Sequence, residues 1–469
     1  MNKIEFPEPD EILKEKPSLR KYLRYFLFFG PGAIIASATI GQGQLILGPQ
    51  IGAWAGFRLL WIITLSFGSF FLAYIAARFT LISGINIVDL FSTMKKGILN
   101  WIFIFIIIIF VPLFAATITT TLGYSLQWIF GFGNYLIWGI AFALLAVFLV
   151  MIGRYKIVEY TQAFFVAVLA VGAIISVAII KPDIIQILPH FFTIGDIPKY
   201  PGWVPSNVAE KPIPLIILGY LGTLTVSLVM LVGYSGWIKV KKWGIFKGKE
   251  NPDGFSQKLF ESFKREGKIN YLPSDVKEIK KAHLLLKPAL IDLMIAFIVV
   301  AIVSSAYMIA GTYLLRPRHI LPSDIDLLKK QAIIFSSIHE WLKPLYQVSV
   351  FFALFGTIYA GFEASSRMLF ETMKAVVPRM KNMLYKKFMA YVLIYLLATG
   401  IPLAISGISI LLMLSITLLF IGVIGVIIYG IGAIYFSQKV LPKEYKLGKI
   451  GVAITIISIF LLIIPFFFL

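Results

Sequence analysis

Phe29–Trp61, FGPGAIIASATIGQGQLILGPQIGAWAGFRLLW, is the stretch from which the fold can be read. It begins as an apolar helix fit to enter a bilayer, then breaks at Thr39–Gln44, TIGQGQ, where mid-membrane should fall. An unpaired backbone amide or carbonyl in hydrocarbon costs about 2–7 kcal/mol, so irregular backbone at that depth survives only where it is buried in protein or lines a cavity. Gly41 and Gly43 admit dihedrals that unwind a helix, and Gln42 and Gln44 carry amides usable as ligands. The rest of the chain reads as a scaffold around this interruption.

Of 469 residues, 59% are hydrophobic and 14% charged, and the mean hydropathy is +0.88, the composition of an integral membrane protein. A spanning helix needs about 20 apolar residues, and eleven such spans are predicted, near 26–48, 57–81, 99–124, 134–153, 157–180, 213–238, 287–314, 344–370, 385–406, 408–434 and 448–468. Basic residues choose the sides. They crowd the N-terminal tail (Lys3, Lys14, Lys16, Arg20, Lys21, Arg24) and the loops after spans 2, 4, 8 and 10, with Arg78, Arg154, Lys374 and Lys439 among them. Loops after spans 3 and 9 have none, and those after spans 5 and 7 balance a few with Asp183, Asp196, Glu210, Asp324 and Asp326. The positive-inside rule then predicts a multi-pass plasma-membrane protein with a cytoplasmic N-terminus and an external C-terminus. This distribution also disposes of nucleic acid as the partner of the net charge of +20. The polar tail has no apolar core of a signal peptide, and the lack of cysteine excludes disulfides and thiolate metal sites.

Two inserts stand out. The mixed-charge segment 239–287, with a turn signal at Asn251–Gly254, is expected to be a solvated loop with a short helix or two. The Pro-rich run Ile197–Val204 with Pro205 reads as a rigid connector and partial lid.

The two halves correspond. Span 6 opens after Lys211–Pro214 much as span 1 opens after Gly30–Gly32, and it is expected to break at Leu231–Gly236, LVGYSG. Five spans follow the first break before the second begins, so the two units enter the membrane from opposite sides, the inverted-repeat logic of a secondary transporter. The competing reading of each glycine pair is close helix packing. The domains follow: a tail (1–25), a first five-helix repeat (26–180), an external connector (181–212), a second repeat (213–434) and a final loop and helix (435–469). The fold class is all-α, a five-plus-five inverted repeat with spans 1 and 6 broken, plus an eleventh helix.

These residues resemble the Nramp family of divalent-metal transporters, within the LeuT-like superfamily. Gly30-Pro31-Gly32, the break, Gln50, Gly52-Ala53 and Leu59-Leu60-Trp61 fall where Nramp proteins have GPG, an Asp-Pro-Gly-Asn break, Q-x-G-A and LLW. Ala77-Arg78, Gly84 and Asp89 are similar to the family's A-R, T-G and following acid. The resemblance implies a LeuT-like fold and a metal site between the breaks of spans 1 and 6. The chain departs from the family at that site: Gly41, Gln42, Gly43 and Gln44 replace Asp-Pro-Gly-Asn, and Met230–Gly233 stands for Met-Pro-His, with Met230 the counterpart of the methionine.

The expected substrate or metal-binding set is therefore neutral: Thr39, Gly41, Gln42 and Gln44 at the first break, and Met230, Gly233, Tyr234 and Ser235 at the second. A hard or borderline divalent cation wants oxygen ligands and usually negative charge. Glu363 and Arg367, four apart in span 8, are expected to pair for coupling or gating, with Glu363 the carboxylate best placed to titrate. Asp292 is expected at the interface, Glu159 and Arg154 as loop anchors, and Thr117–Thr121 in span 3 as a polar path or a packing face. His190, His283, His319 and His339 fall in loops, against a histidine metal site. No nucleophile–base pair, phosphate loop or carboxylate dyad supports an enzyme, and no cofactor is expected, the divalent metal being cargo. The expected partners are that cation, protons if transport is coupled, and the lipid bilayer. Three functions remain open: a secondary transporter of Mn²⁺, Fe²⁺ or Mg²⁺ with or without proton coupling, a carrier of a small organic solute or amino acid, and a non-transporting sensor or scaffold.

Overall fold

A backbone in hydrocarbon must satisfy its own hydrogen bonds, and in the computed structural model the apolar runs do so as helices. Residues 3–45, 47–153, 155–321, 328–329, 332, 336, 339–380 and 383–468 are described. Among them, ten helical stretches are long and apolar enough to cross a membrane, and the broken span 1 is the eleventh. Span 1 comprises Pro31–Thr39, a widened π turn at Ile40–Gln44, and Gly48–Ala55. Spans 2 to 5 are Trp61–Ser83, Ile98–Phe130, Tyr135–Ile152 and Tyr155–Ile180. Span 6 is Ile213–Leu224 and Leu228–Val240, span 7 is Lys287–Ala310, span 8 is Leu342–Val376 and span 9 is Tyr385–Ile405. Span 10 runs from Ile410 to Lys439 through a second kind of interruption, a π turn at Leu419–Ile424, and span 11 is Lys449–Ile463. Arg154, Asp324 and Asp326 lie outside the described residues.

Hydropathy alone makes these helices look alike, but burial separates them. Both halves of span 1 are wholly buried and span 6 nearly so, whereas spans 4, 5 and 11 leave most of their surface for lipid. The broken pair is thus the centre of the bundle. The first half of span 1 packs against spans 5, 7 and 8, its second half against the end of span 7, and the first half of span 6 against span 10.

The first break falls where the sequence puts it; the second does not. Leu231–Gly236 lies inside the continuous helix Leu228–Val240, and span 6 is interrupted instead at Thr225–Ser227, where Thr225 and Ser227 are extended (ψ 154° and 157°). The glycines of 231–236 serve packing: Gly233 faces Ala364 and Gly236 faces Arg367, both on span 8. The true break carries no glycine or proline because partners from other spans satisfy it. The Val226 amide donates to Ser69 Oγ of span 2 (3.1 Å), and Thr225 Oγ1 is within hydrogen-bond reach of the Gly222 and Gly422 carbonyls (2.9 and 2.6 Å), the latter in the π turn of span 10.

The insert 239–287 is also more than a solvated loop. Its helices Pro252–Glu266 and Val276–Leu285 bury Leu259, Phe260, Phe263 and Ala282, and Tyr271 between them is buried and donates to the Ser83 carbonyl (2.6 Å). The N-terminal tail straps this cap through Lys247–Asp10 (2.6 Å) and Lys281–Glu8 (2.8 Å). The membrane face carrying tail and cap is called the tail face below. On the other face the Pro-rich connector lays Tyr200 on Trp54 of span 1 (4.7 Å between ring centroids) and Trp203 on His319 (5.1 Å).

Candidate functional site

The two breaks meet through one side chain. Gln44, at the end of the first π turn, is fully buried; its Oε1 accepts from Tyr220 Oη (3.0 Å), and its Nε2 donates to Thr223 Oγ1 (3.3 Å). Thr223 Oγ1 in turn donates to the Tyr220 carbonyl (2.6 Å), closing a small network across spans 1 and 6. Gly41 sits directly on Thr357 and Ala353 of span 8, and Gly43 directly on Thr223, with no room for a Cβ at either. Thr39 is buried at the end of the first half-helix. The side chain of Gln42 lies outside the described residues. Thr39, Gly41 and Gln44 thus share one segment, and Tyr220, Thr223 and Thr357 join it unpredicted. A polar pair three residues apart, Tyr220 and Thr223, on an otherwise apolar half-helix was the signal available in the sequence.

Met230, Gly233, Tyr234 and Ser235 are all buried on the second half of span 6, beyond the break rather than in it. Met230 is in the first turn after the interruption at Thr225–Ser227. Tyr234 points away from the Gln44 network: its hydroxyl donates to Asp292 Oδ2 (2.8 Å). Asp292 itself is fully buried in the protein among spans 1, 6 and 7, in the second turn of span 7. Glu159 is buried as well and pairs with Lys241 at the end of span 6 (2.5 Å).

Glu363 and Arg367 do pair, Nε to Oε1 at 2.8 Å. Trp237 Nε1 donates to the other carboxylate oxygen (3.0 Å), and the guanidinium lies 4.9 Å from the centre of the Tyr385 ring. Together with Ile34 of span 1 and Tyr359 these groups line a mostly apolar cavity of about 230 Å³. In span 3, Thr117, Thr120 and Thr121 turn their hydroxyls back to carbonyls one turn earlier, so the packing reading holds for them. Among the described residues, no three His, Cys, Asp or Glu side chains cluster as a metal site.

A second polar pocket lies under the cap, where Asp89 of the short helix Ile87–Phe91 faces Glu371, Lys239, Lys264 and Lys374. Burial, reinforced by Glu371, pushes the Asp89 carboxyl up to about 7. A carboxyl raised in the folded state favours folding at low pH, and that contribution is lost as pH rises from about 4 through about 7. Asp89→Asn should therefore remove this slope: in thermal unfolding the variant gains a few degrees over the parent between pH 5 and 8, and equal slopes for both proteins would contradict the assignment.

A family model described as natural resistance-associated macrophage protein-like, Nramp, matches residues 32–467. The chain belongs to the Nramp family. The fold agrees. A manganese transporter of Eremococcus coleocola, in complex with an aromatic bis-isothiourea substituted compound, shares it with a TM-score of 0.63 at 14% identity, covering 96% of this chain and 88% of that one. Mhp1, a nucleobase-cation-symport-1 family transporter in a closed conformation, shares it at a TM-score of 0.54 and 13% identity, over 94% of this chain and 90% of that one. At these identities the likeness is one of fold, the LeuT-like arrangement with broken spans 1 and 6. No curated protein matches the chain in sequence. This Nramp chain is thus a multi-pass membrane protein of a metal-ion transporter family, and among the described residues its first break is hydrogen-bonded through an amide and hydroxyls.

Proposed function

We propose that this chain is a secondary active transporter that carries a divalent cation, Mn²⁺, Fe²⁺ or Mg²⁺, across the plasma membrane by alternating access, its N-terminus and tail face in the cytoplasm and its C-terminus outside. The observation that carries the reading is the junction of the two broken spans at Gln44 within an Nramp fold. Half-helices pointing their ends at a common centre expose partial charges and free carbonyls there, the usual construction of an ion site in this architecture. The carbonyls of Thr39 and Gly41, the Gln44 amide and the hydroxyls of Tyr220 and Thr223 would supply oxygen ligands, and Met230 would add a thioether just past the span 6 break. Because these groups are neutral, a cation that retains part of its water shell is the cargo they suit. The fold neighbour named as a manganese transporter makes Mn²⁺ the ion to try first. Glu363 and Arg367 would serve gating or coupling to protons, a role supported by their pairing on the wall of the cavity beside span 1.

A second reading rests on the same neutral lining: a small organic solute or amino acid as cargo. The sensor or scaffold reading draws no support from segment 239–287, whose large apolar groups Leu259, Phe260 and Phe263 turn inward.

Mn²⁺ uptake into proteoliposomes, with and without an inward proton gradient, separates these readings. Gln44→Ala removes the acceptor of Tyr220 Oη in a buried site, a loss of about 1–3 kcal/mol, while Thr223 keeps its bond to the Tyr220 carbonyl, and saturable uptake should fall by tenfold or more. Absence of Mn²⁺, Fe²⁺ and Mg²⁺ uptake by folded parent protein would shift the assignment to the organic solute. Stimulation by the gradient is the outcome that coupling requires.

A further inference from the structure

The short half-helix Pro31–Thr39 is held at its N-terminus by a carboxylate from another span. Asp292 Oδ1 accepts from the Gly30 amide and Oδ2 from the Gly32 amide, each at 2.8 Å, and Tyr234 Oη of span 6 donates to the same Oδ2, also at 2.8 Å. The local sequence is built for this contact. Pro31 has no amide to leave unpaired at the first helical position, and a Cβ on Gly32 would sit 2.6 Å from Asp292 Oδ1. Gly30 is equally confined, because a Cβ there would come within 2.6 Å of Glu159 Oε1, the partner of Lys241. Asp292 is fully buried, so its charge is balanced by these three donors and by the positive end of the half-helix. One carboxylate thereby joins spans 1, 6 and 7.

One turn further along the half-helix, Ile34 forms part of the wall of the 230 Å³ cavity that also holds Trp237 and the Glu363–Arg367 pair. Gly153, Val240 and Lys386 at the other end of its wall are exposed, whereas Ile34 is buried, so the position of Pro31–Thr39 sets how far this cavity reaches toward the break. We infer that Asp292 is a positioning residue of the transport cycle: its carboxylate latches the first half of span 1 to spans 6 and 7, and Ile34 is uncovered at the inner end of the cavity when the latch opens. The inference rests on alternating access as the mode of action, but its test follows the motion of the half-helix and does not depend on which cargo is carried.

The chain has no cysteine, so single cysteines can be read without a background. Ile34→Cys reports the latched half-helix, and Ala53→Cys reports the second half of span 1; both positions are buried in the latched state. In liposomes, with a maleimide reaching the tail face, Asp292→Ala should raise the labelling rate of Ile34→Cys at least tenfold and leave that of Ala53→Cys within twofold. Asp292→Asn, which keeps one acceptor, and Tyr234→Phe, which removes one donor, should give smaller increases at Ile34→Cys alone, and they decide the matter if the alanine variant does not fold. Equal increases at both cysteines would mean that the substitution merely loosens the bundle and would overturn the inference, as would an unchanged rate at Ile34→Cys. A protein that shows the selective increase yet transports no metal would leave the latch standing and remove only the metal assignment.

Discussion

Gly43→Ala should abolish transport. The added Cβ overlaps Thr223 Cβ, an atom fixed to the backbone of span 6 that no rotamer change can move aside. The first π turn must then withdraw from span 6, and with it goes the Gln44 amide, which bridges Tyr220 and Thr223. Overpacking of this kind costs about 1–3 kcal/mol in stability. The functional loss is expected to be far larger, on the order of a hundredfold in the uptake rate, because the mutual placement of reacting or liganding groups tolerates errors of only about 1 Å. The measurement is uptake by protein whose monodispersity and melting point show it to be folded. Gly202→Ala, at a site with open space around it, is the matched control and should be silent. Retention of more than half the parental rate in Gly43→Ala would mean that the junction of spans 1 and 6 is not the transport site.

The largest expected loss of stability is at Glu363. Its carboxylate and the Arg367 guanidinium are each only 16% exposed, and among the described residues no second carboxylate lies at ion-pair distance from Arg367, Asp253 acting on it from farther away. Glu363→Ala leaves that cation buried with the Tyr385 ring and the more distant Asp253 carboxylate, and removes the Glu363 acceptor of Trp237 Nε1. Removing one member of a buried pair typically costs about 3–5 kcal/mol, whereas replacing both with apolar groups of similar volume is often neutral. The double variant Glu363→Gln/Arg367→Met should accordingly melt higher than Glu363→Ala. If the single variant is the more stable of the two, the pair is not what holds span 8 against spans 6 and 9. Uptake by the double variant then tells gating from scaffolding: a stable but inactive double variant assigns the pair a role in the cycle.

Position in sequence determined a good deal about this protein. The length and apolarity of each run settled eleven helical crossings, because hydrocarbon leaves a spanning segment no other way to satisfy its amides. The break at Thr39–Gln44 was readable for the same reason, since two glycines and two amides in mid-membrane have few other uses. So was the i to i+4 pair Glu363–Arg367, whose geometry belongs to a single helix. What only the tertiary structure decided depended on partners far away in the chain. The interruption of span 6 sits at Thr225–Ser227 because Ser69 and the Gly422 carbonyl are there to receive it, and nothing within span 6 announces them. The glycines at 233 and 236 resembled a break and turned out to be a contact face for span 8. Asp292 near the start of span 7 gives no sign in its own segment of the partners that bury it, two amides 260 and 262 residues away and the Tyr234 hydroxyl. Local pattern reports what a segment needs from its surroundings, burial or a satisfied amide; which distant group meets that need is fixed only when the helices pack.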